Sequence, residues 1–203
     1  MTEYIIREEQ VKELADLVRS NFPVLFLVFD RENFNLDSLP DGIVSVSAYT
    51  FAECRNLSLT SLPESVTSIG FDAFERCTSL ALTSLPERLT NIDSYAFNDC
   101  TSLALTSLPE GLTRIGDYTF SNCTNLALTS LPEGLTEIGF YAFRNCTSLT
   151  SLTFKGTPTK IYSGAFDGCT NLTTINVPWA EGAVEGDQWG ATNATINYSC
   201  EVK

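Results

Sequence analysis

Apolar side chains return along this chain at a fixed interval. In the stretch that starts at Leu80 they are Leu80, Leu85, Leu89, Ile92, Phe97 and Cys100. The same set recurs from Leu103 (LALTSLPEGLTRIGDYTFSNCTN) and from Leu126 (LALTSLPEGLTEIGFYAFRNCTS). The period is 23 residues and does not drift. Cysteine stands at Cys54, Cys77, Cys100, Cys123, Cys146 and Cys169, and phenylalanine three residues before each, at Phe51, Phe74, Phe97, Phe120, Phe143 and Phe166. This spacing is too irregular for one helix and too long for one strand. It fits a coil whose short straight segments turn corners and send side chains to a common axis, each coil burying its apolar side against its neighbours.

Within one unit, Leu80–Leu85 predicts a strand. Pro86 ends it, because proline brings no N–H to the pairing; the proline recurs at Pro40, Pro63, Pro109 and Pro132. Thr90–Asp93 predicts a second short strand, and Tyr95–Asp99 a single 3₁₀-like turn. Stacking places identical residues about 4.8 Å apart where strands pair, so every position becomes a ladder. The Phe and Cys ladders are expected to fill the interior, with cysteine acting as a small hydrophobe.

One ladder allows two arrangements. The unit from Leu149 reads LxxLxF, with Leu152 at the fourth place. The four units before it carry leucine at the third place and threonine at the fourth: Leu59-Thr60, Leu82-Thr83, Leu105-Thr106 and Leu128-Thr129. Leucine inward with a local bulge avoids burying four hydroxyls, at roughly 1–3 kcal/mol each if unpaired. Threonine inward keeps the register of Leu152.

Units begin at Phe34, Leu57, Leu80, Leu103, Leu126, Leu149 and Leu172, and three segments follow: an N-terminal cap over 1–33, the solenoid over 34–177 and a C-terminal cap over 178–203. In the first, Val11, Leu14, Leu17 and Val18 share a face of a helix predicted over Glu3–Asn21. That helix is expected to cover the open end of the first coil; a docking helix for another protein is the alternative. Val24–Phe29 predicts a strand paired with the first repeat. In the last segment Trp179, Trp189 and three glycines predict an irregular loop folded over the final coil, and Ala194–Tyr198 a closing strand.

The pattern LxxLxLPxxLxxIGxxAFxxC, carried from about Phe34 to Val177, resembles the BspA-like (treponemal-type) leucine-rich repeats. LTSLPEGL also occurs in bacterial leucine-rich effectors with ubiquitin-ligase activity, but their repeats are shorter and lack the AFxxC half. The BspA-like resemblance implies a leucine-rich-repeat solenoid, right-handed and β-rich, used for adhesion or binding, mostly on bacterial or protist cells. It implies a non-catalytic module that recognises a protein or a glycan through its concave strand face. The stretch Ile175–Tyr198 looks like the closing segment of repeat proteins from gut Firmicutes and their prophages, which implies a second possibility: a structural or receptor-binding part of a phage-like particle.

Charge narrows the partners. Twelve basic residues against 25 acidic ones leave a net charge of −13, which argues against nucleic acid, whose phosphates need clustered Lys and Arg. The apolar run Val24–Phe29 is far too short to span a bilayer, so no membrane insertion is expected. There is no histidine, which removes Ser-His-Asp and Cys-His catalysis and imidazole metal sites. No repeat carries a paired carboxylate suited to acid–base work, and no CxxC pair suggests zinc. The expectation is therefore no enzyme, no cofactor and no metal, in a chain that is a monomer. Ladder thiols point the same way, which is poor disulfide geometry, and Cys200 is the one expected exposed thiol. MTEYIIREEQ shows no basic start followed by an apolar core, so no leader is expected in this chain; the resemblance implies the cell surface or secretion.

The candidate binding surface is the row of solvent-facing strand residues Ser61, Ser84, Ser107, Ser130 and Thr153, with the aromatic row Tyr95, Tyr118 and Tyr141 as a second candidate. Exposed aromatic rows can stack on sugars or anchor peptides; side-to-side packing that shields the coil is the plainer expectation. Glu64, Glu87, Glu110 and Glu133 form an acidic row. A solvated corner is expected there rather than a calcium site, because the repeats lack clustered oxygen ligands.

Overall fold

A computed structural model describes residues 38–185 and 188–199, together with short strands at 5–6, 24–25 and 28–29. The chain winds as a β-solenoid of about seven turns. All strand pairs are parallel, as stacking of equivalent positions requires. Two sheets carry the coils. The larger has seven strands: β2 (Val24–Leu25), β4 (Ser45–Val46), β5 (Ser68–Ile69), β6 (Asn91–Ile92), β7 (Arg114–Ile115), β9 (Glu137–Ile138) and β11 (Lys160–Ile161). The smaller runs β8 (Ser130–Leu131), β10 (Ser151–Phe154), β12 (Thr174–Val177) and β13 (Thr195–Tyr198).

The seven-stranded sheet is the second strand of the sequence pattern. Its isoleucines Ile69, Ile92, Ile115, Ile138 and Ile161 face the interior, all at 4% exposure or less. The phenylalanine ladder runs beside them as a stack, with neighbouring centroids 5.2–5.6 Å apart and ring planes within 15° of parallel. All six ladder cysteines are buried.

The corner before each cysteine keeps the three-residue bonds of a 3₁₀ turn but not its backbone angles. Tyr95 (φ 59) and Asp99 (φ 60) lie in the left-handed region, and each coil from Tyr49 to Gly168 repeats the pair. Alternate N–H groups divide the work. Those of Tyr95, Phe97 and Asp99 donate to carbonyls of the next coil, Asp117, Thr119 and Ser121, while those of Ala96, Asn98 and Cys100 donate three residues back. Every amide from 95 to 100 is thus satisfied, which offsets the strain of two positive φ values per coil. The sixth coil uses Gly164 and Gly168 at these places, which removes the strain for L-residues altogether.

The leucine ladder turns inward. Leu59, Leu82, Leu105 and Leu128 are at 1% exposure or less, while Thr60, Thr83, Thr106 and Thr129 are exposed. In the sixth unit the inward position moves by one: Leu152, in register with Thr129, is fully buried and Ser151 is exposed. Each unit buries its leucine, at whichever place the sequence puts it. Leu152 alternates cleanly with Phe154, so β10 is a regular four-residue strand. In the earlier units the alternation breaks, since Thr83 and Ser84 both face outward before Leu85 turns in. The predicted strand Leu80–Leu85 is consequently not a paired strand, nor are its counterparts over 57–62 and 103–108.

The N-terminal end also differs from expectation. Ile5–Ile6 is a strand (β1) paired with Val28–Phe29 (β3), not part of a helix; two adjacent β-branched residues favour the extended state. The remainder of the predicted helix and Cys200 lie outside the described residues. The single strand predicted over Val24–Phe29 is two: β2 pairs with β4 of the first repeat as expected, and β3 with β1. At the other end, Trp179 and Trp189 are both 4% exposed and pack on Phe154 with centroids 5.1 and 6.4 Å away. The Trp189 indole N–H donates to the Glu185 carbonyl at 2.9 Å, and β13 closes the small sheet on β12 in register.

Candidate binding surface

Two hydroxyl-bearing faces emerge from the same repeat, and they differ in how their hydroxyls are used. Beside the seven-stranded sheet four threonines bond backward along the solenoid. Thr67 Oγ1 donates to the Val44 carbonyl, Thr90 to Thr67, Thr136 to Thr113 and Thr159 to Thr136, at 2.8–3.3 Å. A second threonine row, Thr78, Thr101, Thr124 and Thr147, repeats the arrangement beyond the cysteines, at 3.4–3.5 Å. These hydroxyls are committed to the scaffold.

On the first-strand face they are not. Ser61, Ser84 and Ser107 are exposed and Ser130 is half-buried. Together with Thr60, Thr83, Thr106 and Thr129 they form a strip two side chains wide. None of these eight hydroxyls has a hydrogen-bond partner among the described residues. The backbone is open there as well: the N–H groups of Thr83, Ser84 and Leu85, and of Thr106, Ser107 and Leu108, donate to no group among the described residues. From β8 onward the strip closes. Thr153 pairs with Ser130, Asn176 Nδ2 donates to the Thr153 hydroxyl at 3.3 Å, and Asn197 Nδ2 donates to Asn176 Oδ1 at 2.9 Å. The predicted serine row is therefore one continuous ladder with an open part and a cross-linked part. The threonines beside it belong to the same surface. Of the two arrangements the sequence allowed, leucine inward is the one that puts these threonines on the surface; two adjacent hydroxyl residues after an L-x-L segment are its visible mark.

The aromatic row stands at the corner, away from that strip in the repeat. Tyr95 stacks on Tyr118 at 4.8 Å and 10°, and Tyr118 meets Tyr141 at 5.1 Å. Phe71 bridges Tyr49 and Tyr95 at 5.5 Å on either side, where Asp72 interrupts the tyrosines. Only Tyr95 and Tyr118 lie face to face; the other neighbours are tilted by 32–60°. Burial, reinforced by Tyr118 and Asp117, pushes the Tyr95 hydroxyl above its ordinary range.

Asp72 sits in an acidic neighbourhood. Partial burial, with Glu75 adding to it and Arg76 opposing, raises its carboxyl to about 6. Arg76 lies 3.6 Å from Glu53 and Glu75 and 3.7 Å from Asp99. The acidic row is exposed at Glu64, Glu87, Glu110 and Glu133. Lys155 reaches back two coils to bond Glu110, which holds the Glu110 carboxyl below its usual range. Among the described residues no group of three or more acidic or cysteine side chains is placed to hold a metal ion, and no helix is long and apolar enough to cross a membrane.

A parallel solenoid with an inward leucine, phenylalanine and cysteine in five successive coils from Leu57 on defines a leucine-rich-repeat scaffold. The chain belongs to the BspA-type leucine-rich-repeat family: residues 28–128 and 105–181 match the BspA type Leucine rich repeat region, in 6 copies. It is similar to the solved T. pallidum Leucine Rich Repeat protein, with 35% identity over 76% of this chain and 72% of that one, at a TM-score of 0.58. A leucine-rich repeat protein from Bacteroides ovatus is 23% identical over 79% of this chain and 54% of its own, at a TM-score of 0.49. A leucine rich cell surface protein from Faecalibacterium prausnitzii is 24% identical over 85% and 61%, at 0.37. None of the curated proteins compared matches the chain. The family is commonly a surface binding module and typically a non-enzymatic scaffold.

Proposed function

We propose that this protein is a non-catalytic adhesion or binding module that engages a protein or glycan through its first-strand face, at a cell surface. One observation carries the reading. The strip from Thr60–Ser61 to Thr129–Ser130 presents eight hydroxyls that the scaffold leaves unbonded, whereas Thr67, Thr90, Thr136 and Thr159 on the other face bond backward to the preceding coil. Rigid placement of polar groups lowers the ordering cost of binding. The test is solid-phase binding to a panel of immobilised matrix proteins and glycans. The wild-type chain is expected to bind at least one, and the double variant Ser84→Arg, Ser107→Arg to bind none while melting at the same temperature. Undiminished binding by the variant removes this face from the reading, and no binding to any surface removes the function.

The second reading, a part of a phage-like particle, draws on the end of the small sheet. No described residue pairs with the outer edge of β13, and such an edge can accept a strand from another chain. A symmetric trimer in light scattering supports it; a monomer at all concentrations removes it.

A further inference from the structure

We infer that the ligand of the open strip is an uncharged, hydroxyl-rich glycan chain lying along the solenoid axis; this rests on the reading of the first-strand face as the binding surface. Three properties of the strip select that chemistry. The first is its hydrogen-bonding inventory. Each coil offers two side-chain hydroxyls, which both donate and accept, and in the coils of Leu80 and Leu103 three backbone N–H donors without partners among the described residues. A ligand that fills these sites must present donors and acceptors together at every repeat, as successive sugar hydroxyls do.

The second property is what the strip lacks. Protein interfaces draw their energy from apolar and aromatic anchors seated in pockets. Here the leucines that could anchor a partner, Leu59, Leu82, Leu105 and Leu128, are inside the coil. The tyrosine rings at the corner pack against one another, Tyr95 and Tyr118 face to face and Tyr141 tilted beside them, and they stand away from the strip, so recognition falls to hydroxyls rather than to stacking on ring faces. The third property is charge. The Thr-Ser positions of these coils carry none, and the row Glu64, Glu87, Glu110 and Glu133 lies three residues further along each coil. With the net charge of −13, this edge repels polyanions and leaves a neutral chain as the fitting glycan. The coil repeat, 4.8–5.6 Å at the stacked rings, is of the order of one hexose unit, so consecutive sugars can meet equivalent groups on consecutive coils.

Affinity electrophoresis through gels containing dextran, β-glucan, galactomannan, xyloglucan or α-mannan tests this, with heparin as the polyanionic control. Retardation by at least one neutral polysaccharide and none by heparin is the expected result. The variant Thr83→Val, Ser84→Ala, Thr106→Val, Ser107→Ala preserves shape while removing four hydroxyls; it should bind at least about tenfold more weakly, since each lost bond is a modest fraction of the whole. The control Thr67→Val, Thr90→Val should be retarded like wild type. Thermal melts confirm that both variants are folded. Free migration through every neutral gel overturns the inference, as does retardation that the four-hydroxyl variant leaves unchanged. Binding to an immobilised protein that survives loss of the hydroxyls identifies a peptide paired to the open backbone instead; that result overturns the glycan and leaves the first-strand face standing.

Discussion

The Cys123 thiol donates to the carbonyl oxygen of Phe97, one coil back, at 3.1 Å. That oxygen already accepts the N–H of Cys100 in its own coil, also at 3.1 Å. The bond recurs from Cys77 to Phe51, Cys100 to Phe74, Cys146 to Phe120 and Cys169 to Phe143. The cysteine ladder is thus a donor ladder as well as an apolar one, and it explains why one small thiol-bearing residue persists through the array. Cys100, Cys123 and Cys146 should resist alkylation in the native protein and react fully in denaturant. Rapid native labelling of Cys123 would contradict the assignment.

The same thiols make alkaline stability fall. Burial pushes Cys77, Cys100, Cys123 and Cys146 well above their ordinary value of 9.0, and Cys169 to about 12. Above pH 9 the unfolded thiols lose protons that the folded ones keep, so the native state binds more protons and stability declines as pH rises. The limiting slope is about 1.4 kcal/mol per pH unit for each thiol, and for Cys169 it ends near pH 12. A melt series from pH 8 to 11 should fall less steeply for the variant Cys100→Ala, Cys123→Ala, Cys146→Ala than for wild type. Parallel curves would remove the thiols as the cause.

Leu105 and Thr106 are adjacent but face opposite ways. Leu105→Asp places a carboxylate in a site of 0% exposure, and it should abolish cooperative folding, because even truncation of a buried leucine costs about 2–5 kcal/mol. Thr106→Asp, on the exposed strip, should fold normally. Circular dichroism of the pair decides the point; a folded Leu105→Asp protein would contradict the inward ladder.

Gly164 has φ +69, and a Cβ there would lie 2.5 Å from Cε1 of Tyr141; Gly182 has φ +80 with nothing within 4 Å. Alanine at either site strains the backbone, but only Gly164→Ala also displaces a ring. It should cost about 1–3 kcal/mol more than Gly182→Ala, read as the difference in denaturant midpoint. Equal costs would mean that the end of the aromatic column is loosely packed.

Asp72 is held up to about 6 from 3.8. A carboxyl raised by folding favours the native state while protonated, and that advantage is lost as pH climbs from 3.8 through about 6. Asp72→Asn keeps a short side chain that tolerates the left-handed φ of 52. Its melting temperature should match wild type near pH 3.5 and exceed it at pH 7. An offset that does not change with pH would point to packing instead.

By itself, the sequence determined the repeat, its 23-residue period and the identity of the core ladders. Phe97, Cys100 and Ile92 are legible because a strict period forces equivalent residues into equivalent contacts, and only the apolar ones can all be buried. It also marked the closing strand near Ala194–Tyr198 and the second strand of each unit. Tertiary structure decided which of two adjacent residues turns inward. Leu82 and Leu152 occupy different places in the unit, and both are buried, because the cost of exposing leucine or burying an unpaired hydroxyl is felt only when neighbouring coils close over the site. It likewise decided that Tyr95 and Asp99 sit at positive φ, since that conformation is held by bonds to the coil 23 residues further on, which no local window contains. The open hydroxyl strip follows from both. The Leu-x-Leu-Thr-Ser order is written in the chain, but whether those hydroxyls bond backward, as at Thr90, or stand unbonded, as at Thr83, depends on whether the folded chain brings a carbonyl of the preceding coil within reach.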